Sequence, residues 1–314
     1  MTQWCRTLVY LFLAWALGAC PAQADAPMRI CGPPVAESLV FAVMAQKGLA
    51  PVAFIPWNSP DQARAMIAGK RVDAAIVTTS AAATFLAKGV DVRIAGVFDS
   101  PLWVVSSRDR AKGMPLDGVL LFPFGHREMP ELLFDIVFGR PCPDLETRHT
   151  GGALEAVNFM LLGRAHHALL AEPAATLAVL RSEKAGGSGL VKHLDIRQVW
   201  KDKFRGMPLY VSALAVFGPA PGNRERIRDV VMAYADARQW VGDHPHKALA
   251  LAGKAAPALA AQMPDAGRFK PAGQLSDRSA DFDAAFFFLN RIHDRFPAAV
   301  GNSRPVETLF MGEK

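Results

Sequence analysis

Five turns of the chain concentrate side chains that could bind a small molecule. Four of these turns follow a short apolar run that predicts a strand, and all five precede a pattern that predicts a helix. The candidate binding residues in these turns are Pro34, Glu37 and Ser38, then Trp57 and Asn58, then Thr78, Thr79 and Ser80, then His126 and Arg127, and finally Gly151 and Gly152. Glu172, at the end of another apolar run, completes the set.

The chemistry of these turns favours a small anion. In an open α/β sheet, ligands bind beyond the carboxyl ends of the strands. A helix that begins there offers free backbone N–H groups and a partial positive charge. With the hydroxyls, the indole and the guanidinium, the set suits an oxyanion, or a carboxylate or sulfonate with a modest organic part.

Two other interpretations stay open at this point. Thr78, Thr79 and Ser80 could serve only as a helix N-cap, which is worth about 1 kcal/mol. If the carboxylates of Glu37 and Glu172 face the ligand, a cationic or amine-bearing solute is favoured over a bare anion.

Motifs typical of enzymes and metal sites do not occur in the sequence. It contains no Gly-x-Ser-x-Gly, no Walker loop, no His-Glu-x-x-His and no Cys-x-x-Cys. His166 and His167 are adjacent, so on a strand they point to opposite faces and cannot share one metal ion. We therefore predict no catalytic residue, no metal site and no cofactor.

The elements that must position these residues alternate between strand and helix, a pattern typical of βαβ units. The predicted strands cover residues 28–31, 52–56, 72–77, 92–97, 102–106, 119–123, 167–171 and 209–217. The predicted helices cover residues 36–47, 60–68, 81–88, 127–138, 151–162, 174–182, 224–241, 244–252, 255–262 and 277–295. Ser59 is the predicted N-cap of the second helix, whose first turn suits Pro60.

Two extended runs interrupt the alternation, at 102–106 and 209–217, and we interpret them as crossovers between two lobes. The sequence therefore predicts an α/β fold of two lobes, each a mixed sheet flanked by helices, with both crossover strands at the hinge. Lobe one would be discontinuous, comprising residues 25–103 and 214–314, and lobe two would comprise residues 104–213. Such an arrangement leaves a cleft between the lobes.

The first 24 residues have the pattern of an export signal. Arg6 precedes a ten-residue apolar stretch, which is too short for a stable membrane-spanning helix. Cleavage after Ala24 is predicted, and the alternative is a lipobox ending at Cys20, which would then be acylated. An uncleaved anchor is a third possibility. Cys31 and Cys142 remain in the exported chain, where we favour two unpaired thiols over a bridge between lobes.

Composition excludes several classes of protein. The chain has 314 residues, which suggests about two domains. Its 51% hydrophobic and 20% charged residues are typical of a globular protein and not of a disordered one. The formal net charge of +6 is small and no long basic run concentrates it, so we predict no nucleic-acid partner.

Three segments resemble periplasmic solute-binding proteins of ABC importers, in particular the nitrate/sulfonate/taurine-type family. They are ARAMIAGKRVDAAIV at 63–77, ALEAVNFMLLGRAHHALLAEP at 153–173 and RIRDVVMAYADARQWVGDHPHKALALA at 226–252. The resemblance covers roughly residues 28–265, and the order and spacing of the segments carry it. The segment after the first strand and the Phe124–Arg127 turn depart from the family pattern, so the family's ligands do not transfer directly.

The resemblance implies an exported monomer in the periplasm that binds a small molecule and delivers it to an ABC permease in the inner membrane. Two alternatives are kept. One is an enzyme on the same fold, of the pyrimidine-precursor or menaquinone-pathway type, although the export signal argues against it. The other is a ligand-sensing periplasmic protein without a permease.

Overall fold

The computed structural model describes residues 26–139, 143–185, 189–218, 224–263 and 273–311. The predicted signal segment with Cys20, the residue Cys142 and most of the glycine-rich loop after Ala185 lie outside these ranges. Among the described residues, no helix combines the length and the apolar character that crossing a bilayer requires.

Eleven strands are present in the described part of the chain. They are β1 (Met28–Gly32), β2 (Val52–Pro56), β3 (Ala74–Thr78), β4 (Val92–Phe98), β5 (Leu102–Ser107), β6 (Gly118–Pro123), β7 (Leu145–Thr150), β8 (His167–Ala171), β9 (Leu190–Asp195), β10 (Ser212–Phe217) and β11 (Leu275–Ser276).

The α-helices of the described ranges connect or flank these strands. They are α1 (Ala36–Lys47), α2 (Pro60–Ala68), α3 (Thr79–Ala87), α4 (Met129–Phe138), α5 (Ala153–Leu161), α6 (Ala174–Lys184), α7 (Ile196–Lys203), α8 (Arg224–Asp243), α9 (Pro245–Ala255), α10 (Pro257–Ala260) and α11 (Ser279–Arg295). Short 3₁₀ turns follow at Pro297–Val300 and Glu307–Leu309.

Local sequence accounts for where the helices around the first sheet begin and end. Ser59 accepts a hydrogen bond from the Gln62 N–H at 3.2 Å and Pro60 occupies the first turn of α2, as predicted. The α1 helix ends at Gly48, whose φ of 62° is a left-handed conformation that glycine adopts without steric cost. Local sequence thus determines where α1 ends and where α2 begins.

The strands form two mixed sheets. The first has the order β11-β4-β10-β3-β1-β2, and the second has the order β7-β6-β8-β5-β9. In the first sheet β1 to β4 run in one direction, and β10 lies antiparallel between β3 and β4. In the second sheet β6, β7, β8 and β9 share one direction, against which β5 is antiparallel. The prediction of two mixed sheets flanked by helices is confirmed.

Three apolar clusters hold the layers together. One packs α1, α8 and α9 on the first sheet, and another packs α5 and α6 on the second. The third is continuous through both sheets, because α11 bridges them. Trp200 of α7 and Phe288 of α11 are both fully buried and meet edge to face, with ring centroids 5.3 Å apart.

Candidate functional site

The carboxyl edges of the two sheets face one another. Arg64 of α2, beside the first sheet, lies 3.3 Å from Glu128 in the turn after β6 of the second sheet. Arg197 of α7, directly after β9, donates to Asp99 at the end of β4 at 3.0 Å. Both ion pairs therefore join residues near the carboxyl edge of one sheet to residues near that of the other. Every predicted binding residue lies at or just after the end of a parallel strand, and so at one of these two edges.

Glu37 lies in the first turn of α1, where its carboxylate is only 2% exposed. It accepts a hydrogen bond from the Ser100 hydroxyl at 2.7 Å, in the segment between β4 and β5. Burial raises the pKa of Glu37, and hydrogen bonds from Ser100 and from the Gly273 backbone oppose that shift. This carboxylate therefore connects α1 to the segment that links the two sheets.

Two buried donors at the first sheet's edge have no hydrogen-bond partner among the described residues. They are the Ser38 hydroxyl and the Trp57 indole N–H. Ser38 Oγ lies against Gly32, where a Cβ atom would approach it to 2.3 Å. Buried polar groups without partners are uncommon in native proteins, so these two are candidates to bind a ligand.

Thr78, Thr79 and Ser80 form the turn between β3 and α3. Thr78 Oγ1 accepts the Ala81 N–H at 3.1 Å and therefore serves as the N-cap of α3. Thr79 is buried, and its hydroxyl donates to the carbonyl of Tyr210 at 3.3 Å. The capping interpretation holds for Thr78, and Thr79 connects α3 to the chain that returns from the second sheet.

Glu172 at the end of β8 is buried beside a cation. Lys192 of β9 donates to Glu172 and also to the Thr176 hydroxyl, the latter at 2.7 Å. The same ammonium lies 5.3 Å from the centre of the Trp103 ring. Because Lys192 compensates the charge of Glu172, this carboxylate gives little support to a cationic ligand.

His126 and Arg127 lie in the turn after β6, and their neighbour Glu131 lies in the first turn of α4. Glu131 Oε2 accepts the Arg127 backbone N–H at 2.6 Å. The same oxygen lies 2.9 Å from His126 Nδ1 and 3.0 Å from His149 Nε2 at the end of β7. The Arg127 side chain is exposed.

The remaining predicted residues lie at the rims of the two edges. Gly151 donates its N–H to Glu155 Oε2 at 2.6 Å, and Gly152 is the N-cap of α5. Asn58 is exposed and Pro34 is half-buried. Two surface hollows, one beside Trp240 and one beside Asp117, are lined by none of the predicted binding residues.

Sequence reasoning missed several partners at these edges, namely Arg64, Ser100, Glu128, Glu131, His149 and Lys192. Most lie far along the chain from the residues they contact, and no local pattern links such pairs. Glu131 is the exception, since an acidic residue in the first turn of a helix is typical of a side chain that bonds back to the preceding backbone.

Comparison with protein-family models and with curated proteins returns no match. Solved structures do match. An ABC transporter from Parabacteroides distasonis has a TM-score of 0.72 at 21% identity, covering 92% of this chain and 100% of that one. The periplasmic aliphatic sulphonate binding protein SsuA from Escherichia coli has a TM-score of 0.63 at 12% identity, covering 90% and 96%.

A third similar structure is the alkanesulfonate-binding protein SsuA from Xanthomonas axonopodis pv. citri bound to MOPS. Its TM-score is 0.59 at 14% identity, and the match covers 92% of this chain and 97% of that one. At these identities the likeness establishes the fold, which is the two-lobe α/β fold that these transport proteins share.

Proposed function

We propose that this chain is an exported solute-binding protein that closes its two lobes on a small anionic solute and delivers it to an ABC permease of the inner membrane. It makes and breaks no bond. Its physical work is a ligand-dependent shift from an open to a closed arrangement. The structural neighbours, which include sulphonate-binding proteins and an ABC transporter, support this class of function.

The observation that carries the proposal is the pair of facing carboxyl edges, bridged by Arg64 with Glu128 and by Arg197 with Asp99. Ligands of open α/β sheets bind at such edges. A solute held there contacts both lobes and therefore binds the closed arrangement more tightly than the open one.

Three features support an anionic solute. Ser38 and Trp57 supply buried donors that lack partners among the described residues. The α5 helix begins at the second edge with Gly152 as its N-cap and without a side-chain cap, so its first N–H groups are available to an acceptor. The carboxylate of Glu172, which would favour a cation, is already paired with Lys192.

The proposal includes export, and it places the mature protein in the periplasm as a monomer. The mature form begins at Asp25 after cleavage at Ala24, or at an acylated Cys20. Intact-mass measurement of the exported protein distinguishes the two, since only the second adds the mass of a lipid. An uncleaved cytosolic chain would instead favour an enzyme on this fold.

Calorimetric titration of the mature protein tests solute binding, and thermal unfolding in the presence of the solute measures the melting temperature. We expect a sulfonate, carboxylate or inorganic oxyanion to bind and to raise the melting temperature in proportion to the logarithm of its concentration above Kd. Ser38→Ala and Trp57→Phe each remove one donor, and we expect each to weaken binding about 10-fold, the cost of one hydrogen bond to a charged group.

Trp240→Phe is the matched control, because Trp240 lies on α8 and not at a carboxyl edge. It should bind the solute as the wild type does. A broad panel of anions without any binding, or equal losses in all three variants, would contradict the proposal. A solute that binds while the membrane fraction contains no interacting permease would favour the sensing function.

A further inference from the structure

Three potential metal ligands converge beside the second sheet. His126 Nδ1 and His149 Nε2 lie 2.9 Å and 3.0 Å from Glu131 Oε2. The three atoms all lie within 4.8 Å of one another. Within the described ranges, this is the group of histidine and acidic side chains whose ligand atoms lie close enough together to bind one metal ion.

The backbone holds these side chains together from three different elements. His126 follows β6, Glu131 lies in the first turn of α4, and His149 lies near the end of β7. A bridge between Phe124 and Thr150 fixes the turn after β6 against the end of β7. The positive φ angles of Phe124 (72°) and Arg127 (63°) flank His126, an arrangement that costs free energy and is often retained at functional sites.

We propose that His126, Glu131 and His149 form a three-ligand site for a divalent transition metal of the zinc type. Two imidazoles and one carboxylate suit zinc, and three protein ligands leave a fourth tetrahedral position for water or an oxyanion. With bonds of about 2.0–2.1 Å, tetrahedral ligand atoms lie about 3.3 Å apart. The distances from Glu131 Oε2 to His126 Nδ1 and to His149 Nε2 are within about 0.5 Å of that spacing.

Burial and exposure fit such a site. Glu131 is 3% exposed and anchored through the Arg127 backbone N–H, which fixes the position of its carboxylate. The His126 side chain is 62% exposed, so an ion has a path from solvent. Each histidine offers a lone pair to the metal once its ring proton moves to the other nitrogen.

A purely structural role makes a different prediction. In that case Glu131 caps α4 and orients two imidazoles through hydrogen bonds, and the cluster binds no metal. A direct measurement of zinc binding, made without any solute, distinguishes the structural role from the metal-binding role. The metal site goes beyond the proposed function, and a failure to bind metal leaves the solute-binding proposal intact.

The experiment uses the mature protein without an affinity tag, treated with EDTA and dialysed. Titration with ZnCl₂ by calorimetry should give one equivalent of zinc per chain. Titration with CoCl₂ should produce the visible absorption bands of tetrahedral Co²⁺. Removal of a residue that only supports a metal ligand already costs about 10-fold in metal affinity. We therefore expect His126→Ala and His149→Ala each to lower zinc affinity by at least that factor.

His246→Ala is the matched control, because His246 is an exposed histidine on α9 away from the cluster. It should bind zinc as the wild type does. Circular dichroism verifies folding, and His126→Ala, which alters an exposed side chain, carries the test if Glu131→Gln or His149→Ala fails to fold. No saturable zinc binding by the wild type, or equal affinity in the His126, His149 and His246 variants, would overturn the site.

Discussion

Hydrogen bonds around the second sheet determine which ring nitrogen carries the proton in two neutral histidines. Ser106 Oγ lies 2.7 Å from His167 Nδ1 and 3.0 Å from His193 Nδ1. His193 Nε2 accepts the Gly113 N–H, so the proton of neutral His193 is on Nδ1 and bonds to Ser106. The Ser106 proton therefore goes to His167 Nδ1, and His167 donates from Nε2 to the Asp117 carbonyl at 2.9 Å.

This network predicts acid sensitivity. Burial lowers the pKa of His167 to about 4, whereas an unfolded histidine titrates near 6.5. Between these values the unfolded chain binds a proton that the native chain does not. Stability is therefore complete above pH 6.5 and decreases as pH falls towards 4. Between pH 7 and pH 5, we expect the free energy of unfolding to fall by about 2 kcal/mol from this group.

Urea denaturation at a series of pH values measures this effect. His167→Gln should flatten the slope between pH 7 and pH 5, leaving the smaller contribution of His193, whose pKa burial also lowers. His246→Gln, at an exposed position, should keep the wild-type slope. An unchanged slope in His167→Gln would rule out His167 as its source.

Among the elements, α11 makes the most informative contacts because it packs on β4 of the first sheet and on α4 and α7 beside the second. Phe288 is fully buried against Trp200, in the cluster that is continuous through both sheets. We expect Phe288→Ala to lower the free energy of unfolding by about 3–5 kcal/mol, since it opens a cavity in a closely packed interior. Thermal or urea unfolding measures the loss.

Phe286→Ala provides a control on the same helix. Its side chain is only half-buried, so the loss should be clearly smaller. Ala favours the helix more than Phe does, so helix propensity cannot cause a loss in either variant. An equal loss in the two variants would mean that the buried contact with Trp200 does not determine the effect. Trp200 fluorescence adds a second readout, because Phe288→Ala should change the surroundings of that indole.

Helices and strands with a clear apolar periodicity could be predicted from the sequence, whereas those with mixed or polar sequences could not. The bounds of α1, β2, α2 and β8 agree with the predicted ranges, because apolar periodicity and caps coincide there. The missed elements β7, β9 and α7 have mixed or polar sequences. Strand β7, LETRHT, lies at a sheet edge with three of its six residues exposed in succession, so alternation carries no signal.

The candidate site divides in the same way. The rule that ligands bind at strand ends predicts which turns lie at the two edges. It does not predict partners, because Lys192 beside Glu172 and Ser100 beside Glu37 come from different elements. Whether the predicted residues contact a solute stays a prediction.

At the scale of the whole molecule, the ion pair between Arg64 and Glu128 should favour the closed arrangement. Both side chains are partly exposed, so the pair is worth about 0.2–1 kcal/mol and weakens with salt. Arg64→Ala and Glu128→Ala should each lower the ratio of closed to open molecules by up to about 5-fold. X-ray scattering would detect this as a larger radius of gyration at low salt.

A double-mutant cycle isolates the pair, since removing both partners should change the closed population little more than removing one. Arg148→Ala is the control, because Arg148 pairs with Glu146 within β7 on an exposed surface. Additive effects of Arg64→Ala and Glu128→Ala would show that the two side chains do not couple.

The position of β10 between β3 and β4 has a consequence for the order in which the protein acquires structure. All five strands of the second sheet come from the contiguous stretch between β5 and β9, whereas the first sheet joins β3 to β4 only through β10. A chain that emerges amino end first can therefore complete the second sheet while β3 and β4 still have open edges. Until β10, which ends at Phe217, pairs with β3 and β4, their unpaired edges are the part of the nascent protein that a chaperone must protect from aggregation.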